Sequence, residues 1–253
     1  MNIVVKILIF LSALYTQIEP PQGLVENAPS VWALQNARIH LSSSNILENG
    51  TILIRDGLIE NVGARINVPD DATIIDMTGK TIYPGFIESW YEYHSSLNDD
   101  NHNRHWNFKV NATKDLSKLY KPIKKDINSL RSLGFTSAHV VPDSGVFQGS
   151  TCLIQLNDDV DLINNSIGQK ISYEVDGWSS DKYPNSLLGV VALLRQTFID
   201  ANWYFNAKKQ LKKYPSKNMP LRINDDLNVI GNWMEKNKPF IFDTKHELSI
   251  LRS

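Results

Sequence analysis

Acidic side chains with the spacing of a chemical site follow the Pro-Gly turn at 84–85. The run FIESWYE at 86–92 places Glu88, Trp90 and Glu92 at alternate positions. A β-strand points every second side chain to the same face, so a strand here predicts that these three lie together. Glu92 could give a carboxylate oxygen to a metal ion, although a lone carboxylate is a poor zinc site. Trp90 offers only an N–H donor and cannot be a ligand.

Asp143 is a further candidate, because it follows a predicted strand. The apolar run at 135–141 is stopped by Pro142, and Asp143 comes next. In barrels of alternating strands and helices, the chemistry lies at the carboxyl ends of the strands. A turn formed with the following Ser-Gly pair explains the same aspartate equally well.

The histidines allow a metal interpretation and a structural one. His102 and His105 are three residues apart, a spacing that on one helical turn would bring two imidazoles together. Their neighbours are polar and irregular, which favours solvated or hydrogen-bonded histidines in a loop. His139 lies in the apolar run and is predicted to be a core histidine with its hydrogen bonds satisfied. His246 begins the last helical stretch, where partner ligands are absent from the sequence.

The composition narrows the class of protein. The chain has 253 residues, 42% hydrophobic and 21% charged, which is ordinary for a folded protein with a sizeable core. Its 26 Lys and Arg against 27 Asp and Glu leave no basic excess to hold a nucleic-acid backbone. The single cysteine, Cys152, excludes an intrachain disulfide and a thiolate metal cluster. Its apolar neighbours favour a buried position.

Residues 1–22 are predicted to be a secretory signal peptide. Lys6 precedes an apolar stretch from Ile7 to Leu14, which is far shorter than the roughly 20 residues that cross a bilayer. A first buried strand is the alternative. No other segment of the sequence is long and apolar enough to span, so we expect a secreted or periplasmic protein without a transmembrane span in the mature chain.

Two segments with different sequence patterns follow the predicted signal peptide. Residues 30–83 read as a small β-module, with a hairpin at Asp56-Gly57, because both positions of such a turn need positive φ. Residues 84–253 alternate strands and helices, which predicts an α/β layer with parallel strands. Helices are predicted at 115–133, 183–211, 225–236 and 245–252, and strands at 135–141, 145–156 and 239–243.

Several motifs together resemble the opening of the amidohydrolase superfamily. They are the runs VWALQNARI at 31–39, GTILIRDGLI at 50–59, VGA at 62–64, DMTGK at 76–80 and YPGFI at 83–87. Their order and spacing are similar to those of the family across about residues 31–92. Shorter stretches at 104–107, 183–187 and 200–204 look like a secreted bacterial branch of the superfamily.

The resemblance implies an α/β fold, a partial (β/α)8 TIM-like barrel at 84–253 preceded by a small β-sandwich module. It also implies hydrolysis of carbon–nitrogen bonds in a small-molecule substrate, with a divalent metal such as zinc that activates water. Glu88, Glu92 and Asp143 would then line the substrate end of the barrel as catalytic residues. The family's first strand ends in two histidines two residues apart, and Trp90 and Glu92 stand at those positions here.

The segment after residue 82 is short for a full barrel, which takes around 250 residues. We therefore expect a truncated chain that lacks the later ligand-bearing strands. An open barrel would expose strand edges, which predicts an oligomer, aggregation or pairing with a missing carboxyl-terminal half. Three functions remain open: a metal-dependent hydrolase, a non-catalytic binding or scaffold relative with Trp90 in the metal space, and an incomplete product without a function of its own.

Overall fold

The computed structural model describes residues 31–95, 104–174, 182–215, 220–251 and 253. The predicted signal peptide and His102 lie outside these residues. The chain divides into two compact units, Met1–Pro84 and Gly85–Ser253. Within the described residues, no helix combines the length and the apolar content that crossing a bilayer requires.

The first unit is a five-stranded sheet. Its strands are β1 (Val31–His40), β2 (Ile46–Arg55), β3 (Leu58–Gly63), β4 (Thr73–Asp76) and β5 (Thr81–Ile82). β2 is antiparallel to β1 and β3, whereas β4 and β5 run parallel to β1. The predicted hairpin between β2 and β3 is confirmed, with φ of 51° at Asp56 and 77° at Gly57. Alternation along β1 buries Val31 and Ala33 on one face of the sheet.

The second unit is a mixed α/β structure with two open sheets. Its strands are β6 (Phe86–Tyr93), β7 (Phe135–Pro142), β8 (Phe147–Ser150), β9 (Cys152–Gln155), β10 (Asp161–Asn164), β11 (Gln169–Ser172) and β12 (Phe240–Asp243). One sheet has the order β10-β9-β7-β6 and the other β12-β11-β8. The described strands do not close into a barrel.

Among the described strands of this unit, two ladders are parallel, β6 with β7 and β11 with β12. The other three ladders, β7 with β9, β9 with β10 and β8 with β11, are antiparallel. The expected α/β layer with parallel strands is therefore present in part, since antiparallel ladders accompany the parallel ones. The connections from β7 to β10 are only a few residues long, and a parallel crossover needs a dozen or more.

The helices of the second unit are α1 (Leu116–Leu119), α2 (Lys124–Ser132), α3 (Leu187–Lys213), α4 (Asp225–Glu235) and α5 (Glu247–Ile250). The prediction of one helix at 115–133 is wrong, because the segment breaks after Tyr120, where ψ is 134°. Pro122 explains the break: it lacks an N–H group and disfavours helical backbone in the residue before it. The predicted end at Gly134 is confirmed, with φ of 93°.

Two apolar cores hold the strands of this unit in place. One packs Leu116 and Ile127 of the short helices against Val140 and Ile154, and includes Cys152. Cys152 is fully buried, as its neighbours predicted, and burial raises the pKa of its thiol to about 12.

The second core lies between the long helices and β8 and β11. It joins Leu193 and Ile230 to Phe147 and Ile171, all four of which are buried. Together the two cores fix β7 and β11 against helices, so the polar residues near the carboxyl ends of the strands are held by rigid elements.

Candidate functional site

Strand β6 places Trp90 and Glu92 side by side. Trp90 Nε1 donates a hydrogen bond to Glu92 Oε1 at 3.3 Å. Glu92 lies one residue before the end of β6 and pairs in register with Val141 of β7. The predicted neighbourhood of the indole and the carboxylate at this strand end is therefore present.

Glu88 is separated from that pair by an irregularity in the ladder. It pairs with Ala138, whereas Tyr91 pairs with Val140, so β6 has one extra residue between these two pairs. The extra residue interrupts the alternation of side chains, so Glu88 lies on the same face of the sheet as Tyr91. The prediction that Glu88 shares a face with Trp90 and Glu92 is therefore wrong. Its carboxylate instead accepts the backbone N–H of Trp90 at 3.0 Å.

A buried lysine of β11 meets Glu92. The Lys170 side chain is 1% exposed, and its Nζ lies 3.2 Å from Glu92 Oε1 and 3.7 Å from Asp243 Oδ2. The same nitrogen donates to the carbonyl of Pro142 at 2.8 Å and lies 4.6 Å from the centre of the Trp90 ring. One ammonium group thus touches the carboxyl ends of β6, β7 and β12.

A second buried lysine holds Asp143. Lys114 precedes α1, its side chain is 1% exposed, and its Nζ lies 3.4 Å from Asp143 Oδ1. The other carboxylate oxygen of Asp143 contacts Nδ1 of His94, whose side chain is 86% exposed. Asp143 therefore bridges a buried cation and an exposed imidazole. We call the five charged residues Glu92, Lys114, Asp143, Lys170 and Asp243 the ion-pair cluster.

The cluster favours the charged forms of Glu92 and Asp143. Burial raises the pKa of Glu92, but the hydrogen bonds from Lys170 and Trp90 outweigh it and leave the pKa below its ordinary value. Burial likewise raises the pKa of Asp143, and the hydrogen bond with His94 and the charge of Lys114 bring it below the ordinary value.

The cations of the Asp143 group shift in opposite directions. Burial lowers the pKa of Lys114, and Asp143 only partly opposes this effect. The hydrogen bond to Asp143 raises the pKa of the exposed His94. Asp143 therefore favours the charged form of both neighbours.

The other predicted histidines lie apart from the cluster. His105 is buried rather than solvated, and its Nδ1 accepts the backbone N–H of Asn107 at 3.1 Å. His139 is partly buried and has both ring nitrogens satisfied, with Nδ1 at 3.1 Å from the carbonyl of Ser89 and Nε2 at 2.8 Å from Thr151 Oγ1. This confirms the prediction for its hydrogen bonds. His246 is exposed and immediately precedes α5.

Sequence reasoning missed both lysines and Asp243. Lys170 lies in a four-residue strand that the sequence pattern did not reveal, and all four of its residues are buried. A lysine beside Ile171 in a short extended run was the only local signal. Lys114 lies in irregular backbone and gave none. Asp243 ends a correctly predicted strand, and its position at a strand end was the signal that could have found it.

These residues do not fit the divalent metal that the family resemblance implies. The oxygens of Glu92 and Asp143 that face the cluster are taken by ammonium, imidazole or indole N–H groups. Among the described residues, no group of three or more His, Cys, Asp or Glu side chains converges as metal ligands would. Two buried ammonium groups would also repel a dication placed beside them.

The fold is similar to that of an amidohydrolase from Thermotoga maritima MSB8. The TM-score is 0.69 at 20% sequence identity, over 87% of this chain and 60% of that one. At this identity the likeness concerns the fold alone. The chain thus spans about 60% of the length of that amidohydrolase.

Two other solved structures match over smaller parts. A prolidase complexed with N-methylphosphonate-L-proline has 28% identity over 44% of this chain and 25% of its own, with a TM-score of 0.27. Guanine deaminase from E. coli has 18% identity over 46% of this chain and 31% of its own, with a TM-score of 0.22. Both scores are too low to indicate a shared fold. No protein-family model and no curated protein sequence matches the chain.

Proposed function

We propose that this chain is a non-catalytic relative of the amidohydrolases, with a partial TIM-like barrel whose polar end is a metal-independent binding or scaffold site. One observation carries the proposal: the ammonium group of Lys170 lies at the strand ends, against the carboxylate of Glu92 and the ring of Trp90. In a zinc hydrolase of this superfamily, a metal and its activated water would need that place.

Electrostatics supports the same conclusion. A zinc ion at Glu92 would have to displace the Lys170 ammonium, which has no water to move into because its side chain is 1% exposed. Moving the ammonium away from Glu92 would cost free energy, because the buried Lys170 would keep only Asp243, at 3.7 Å, as a counter-charge. Trp90 supplies no ligand atom to compensate this cost.

A second candidate is the hydrolase itself, acting on carbon–nitrogen bonds of a small molecule. It is favoured by the fold likeness to the Thermotoga maritima amidohydrolase. In that proposal Glu88, Glu92 and Asp143 are the catalytic residues, and Glu92 also contacts the metal. It requires Glu92 to leave Lys170 before a metal could bind.

The proposal also covers where the protein is located and whether it associates with another chain. The apolar leader before residue 22 supports export to the periplasm or the cell exterior. Among the described residues, β6 lies at the edge of its sheet with Phe86 and Ile87 exposed, which supports association with a second chain or with a carboxyl-terminal partner segment.

Metal stoichiometry distinguishes the two candidates. The mature protein is equilibrated with zinc or manganese, freed of excess metal by gel filtration and analysed by mass spectrometry. We expect far less than one equivalent of metal, with no difference between the wild type and Glu92→Ala. Glu88→Ala is the matched control, because that carboxylate lies outside the cluster. One equivalent in the wild type that is lost in Glu92→Ala would support the hydrolase and overturn the non-catalytic proposal.

A further inference from the structure

A cavity separate from the strand ends lies against the second half of α3. Its volume is about 850 Å³, and pockets that hold small molecules measure about 300–1,000 Å³. One face of α3, within residues 203–211, forms one wall, and residues of the segments 104–106 and 220–227 form the others. None of these described residues belongs to the ion-pair cluster. Binding in the cavity would therefore not depend on whether the strand ends hold a metal.

Two tryptophans line this cavity and remain largely exposed to solvent. Trp106 is 68% exposed and Trp203 is 63% exposed. A large aromatic ring that is left in water gains free energy when an apolar ligand covers it. Two such rings at one concave surface therefore favour a ligand with a flat, apolar body.

The buried side of the cavity is built from groups whose positions are fixed. Tyr204 is 5% exposed, and its hydroxyl accepts the backbone N–H of Asn224 at 3.1 Å. The side chain of Asn224 in turn accepts the N–H of Leu227 at 3.0 Å and caps α4. These two hydrogen bonds hold the segment before α4 against α3, which gives the cavity a preformed wall.

The charged side chains of the cavity favour an anion. Arg104 and Arg222 line it, and no Asp or Glu is among the described residues that do so. The same half of α3 carries lysines at positions 208, 209, 212 and 213, which add positive potential nearby. A guanidinium group binds oxyanions through paired hydrogen bonds and also stacks on aromatic rings. We propose that the cavity binds small molecules that join an aromatic ring system to one anionic group.

Fluorescence titration of the full chain with two related dyes tests this site. Anilinonaphthalene sulfonate (ANS) has an aromatic body and one negative charge, and phenylnaphthylamine (NPN) has the same body without the charge. We expect ANS to bind at one saturable site. Its dissociation constant should be on the order of 10 μM, as the usual binding energy per atom gives for a ligand of that size.

Two variants separate the aromatic contribution from the ionic one. Trp203→Ala should weaken the binding of both dyes about tenfold, because it removes an aromatic wall that the rings contact. Arg222→Gln should weaken the binding of ANS about fivefold and leave that of NPN unchanged, because it removes a charge and keeps a polar side chain. Both residues are exposed, so both variants should fold.

Matched substitutions outside the cavity are the controls. Leu188→Ala removes an apolar side chain that is 80% exposed in the first turn of α3. Arg131→Gln removes an arginine of α2 whose side chain is 52% exposed. Neither residue lines the cavity, so neither substitution should change the affinity for either dye.

Three results would overturn the proposal. One is an unchanged affinity for both dyes in Trp203→Ala. Another is an equal effect of Arg222→Gln on ANS and NPN, which would show that the cavity does not recognise the negative charge. The third is a loss of ANS affinity in Leu188→Ala as large as that in Trp203→Ala, which would show that the dye binds exposed apolar surface in general.

Discussion

The stability of the ion-pair cluster depends on individual charges, as Asp143 shows. Its two carboxylate oxygens are divided between Lys114, which is buried, and His94, which is exposed. Within the described residues, Lys114 forms an ion pair with no other carboxylate. Loss of Asp143 would therefore leave a buried ammonium group without its counter-charge, which is one of the costly kinds of substitution in a folded protein.

We predict that Asp143→Ala lowers the free energy of unfolding at pH 7 by about 3 kcal/mol. Urea denaturation of the wild type and the variant measures this. Asp158→Ala is the matched control: Asp158 pairs with Arg131 through side chains that are both more than half exposed, so its loss should cost under about 0.5 kcal/mol. Equal costs in the two variants would show that the Lys114 contact adds nothing.

The pH dependence of that difference has a definite sign. The pKa of Asp143 in the folded protein is below its ordinary value, so its ionised form stabilises the fold. The contribution is fully present above the ordinary pKa of about 4 and is lost as the pH falls through the lower folded value. The gap between the wild type and Asp143→Ala should therefore narrow as the pH falls below about 4. A gap that widens there would contradict the assignment.

The positions of the acidic residues Glu92 and Asp143 were predictable from the sequence, whereas those of their lysine partners were not. Glu92 and Asp143 follow from strand ends, since parallel strands place their carboxyl ends at one edge. Lys114 and Lys170 reach the same edge through backbone that no local pattern indicates. Glu88 was placed on the wrong face because a single extra residue in β6 is invisible in the hydrophobic pattern.

At the level of elements, the packing of β8 against the segment before α1 positions Lys114. Gly149 has φ of 112°, and a Cβ atom there would lie 2.3 Å from the carbonyl oxygen of Lys114. The backbone N–H of Ser150 donates to that same carbonyl at 2.8 Å. Only glycine permits this close approach, so the strand and the lysine are held together by it.

Gly149→Ala should therefore destabilise the second unit by about 3 kcal/mol or more, through left-handed strain and a backbone clash together. Gly134→Ala is a matched control, because Gly134 has φ of 93° but its nearest neighbour atom lies at 3.5 Å. Gly134→Ala should lose only about 1 kcal/mol of stability, which is the cost of the left-handed backbone strain. Equal losses, measured by urea denaturation, would exclude the proposed close approach.

Turns and long elements were predictable where local chemistry decides them. The Asp56-Gly57 hairpin, the end of α2 shortly before Gly134 and the strand at 135–141 each follow from residues within a few positions. The strands β10 and β11 were missed, because four-residue strands carry too little periodicity. The broken helix at 115–133 shows that a correct apolar spacing can extend across a proline.

For the whole molecule, the chain combines a five-stranded sheet unit with an α/β unit whose two sheets remain open among the described residues. The resemblance of the motifs at 31–92 anticipated a fold that the Thermotoga maritima amidohydrolase shares at a TM-score of 0.69. The sequence placed Trp90 and Glu92 together at a strand end. The contact of Glu92 with Lys170 joins residues far apart in the chain, and a local sequence pattern does not indicate it.

A crystal structure of the protein grown with zinc tests the central claim most directly. Anomalous scattering at the zinc edge locates any bound ion without reference to side-chain density. We expect no anomalous peak within reach of Glu92 and Asp243, and a Lys170 ammonium group within hydrogen-bonding distance of Glu92. A zinc peak coordinated by Glu92, with Lys170 turned away, would contradict the account.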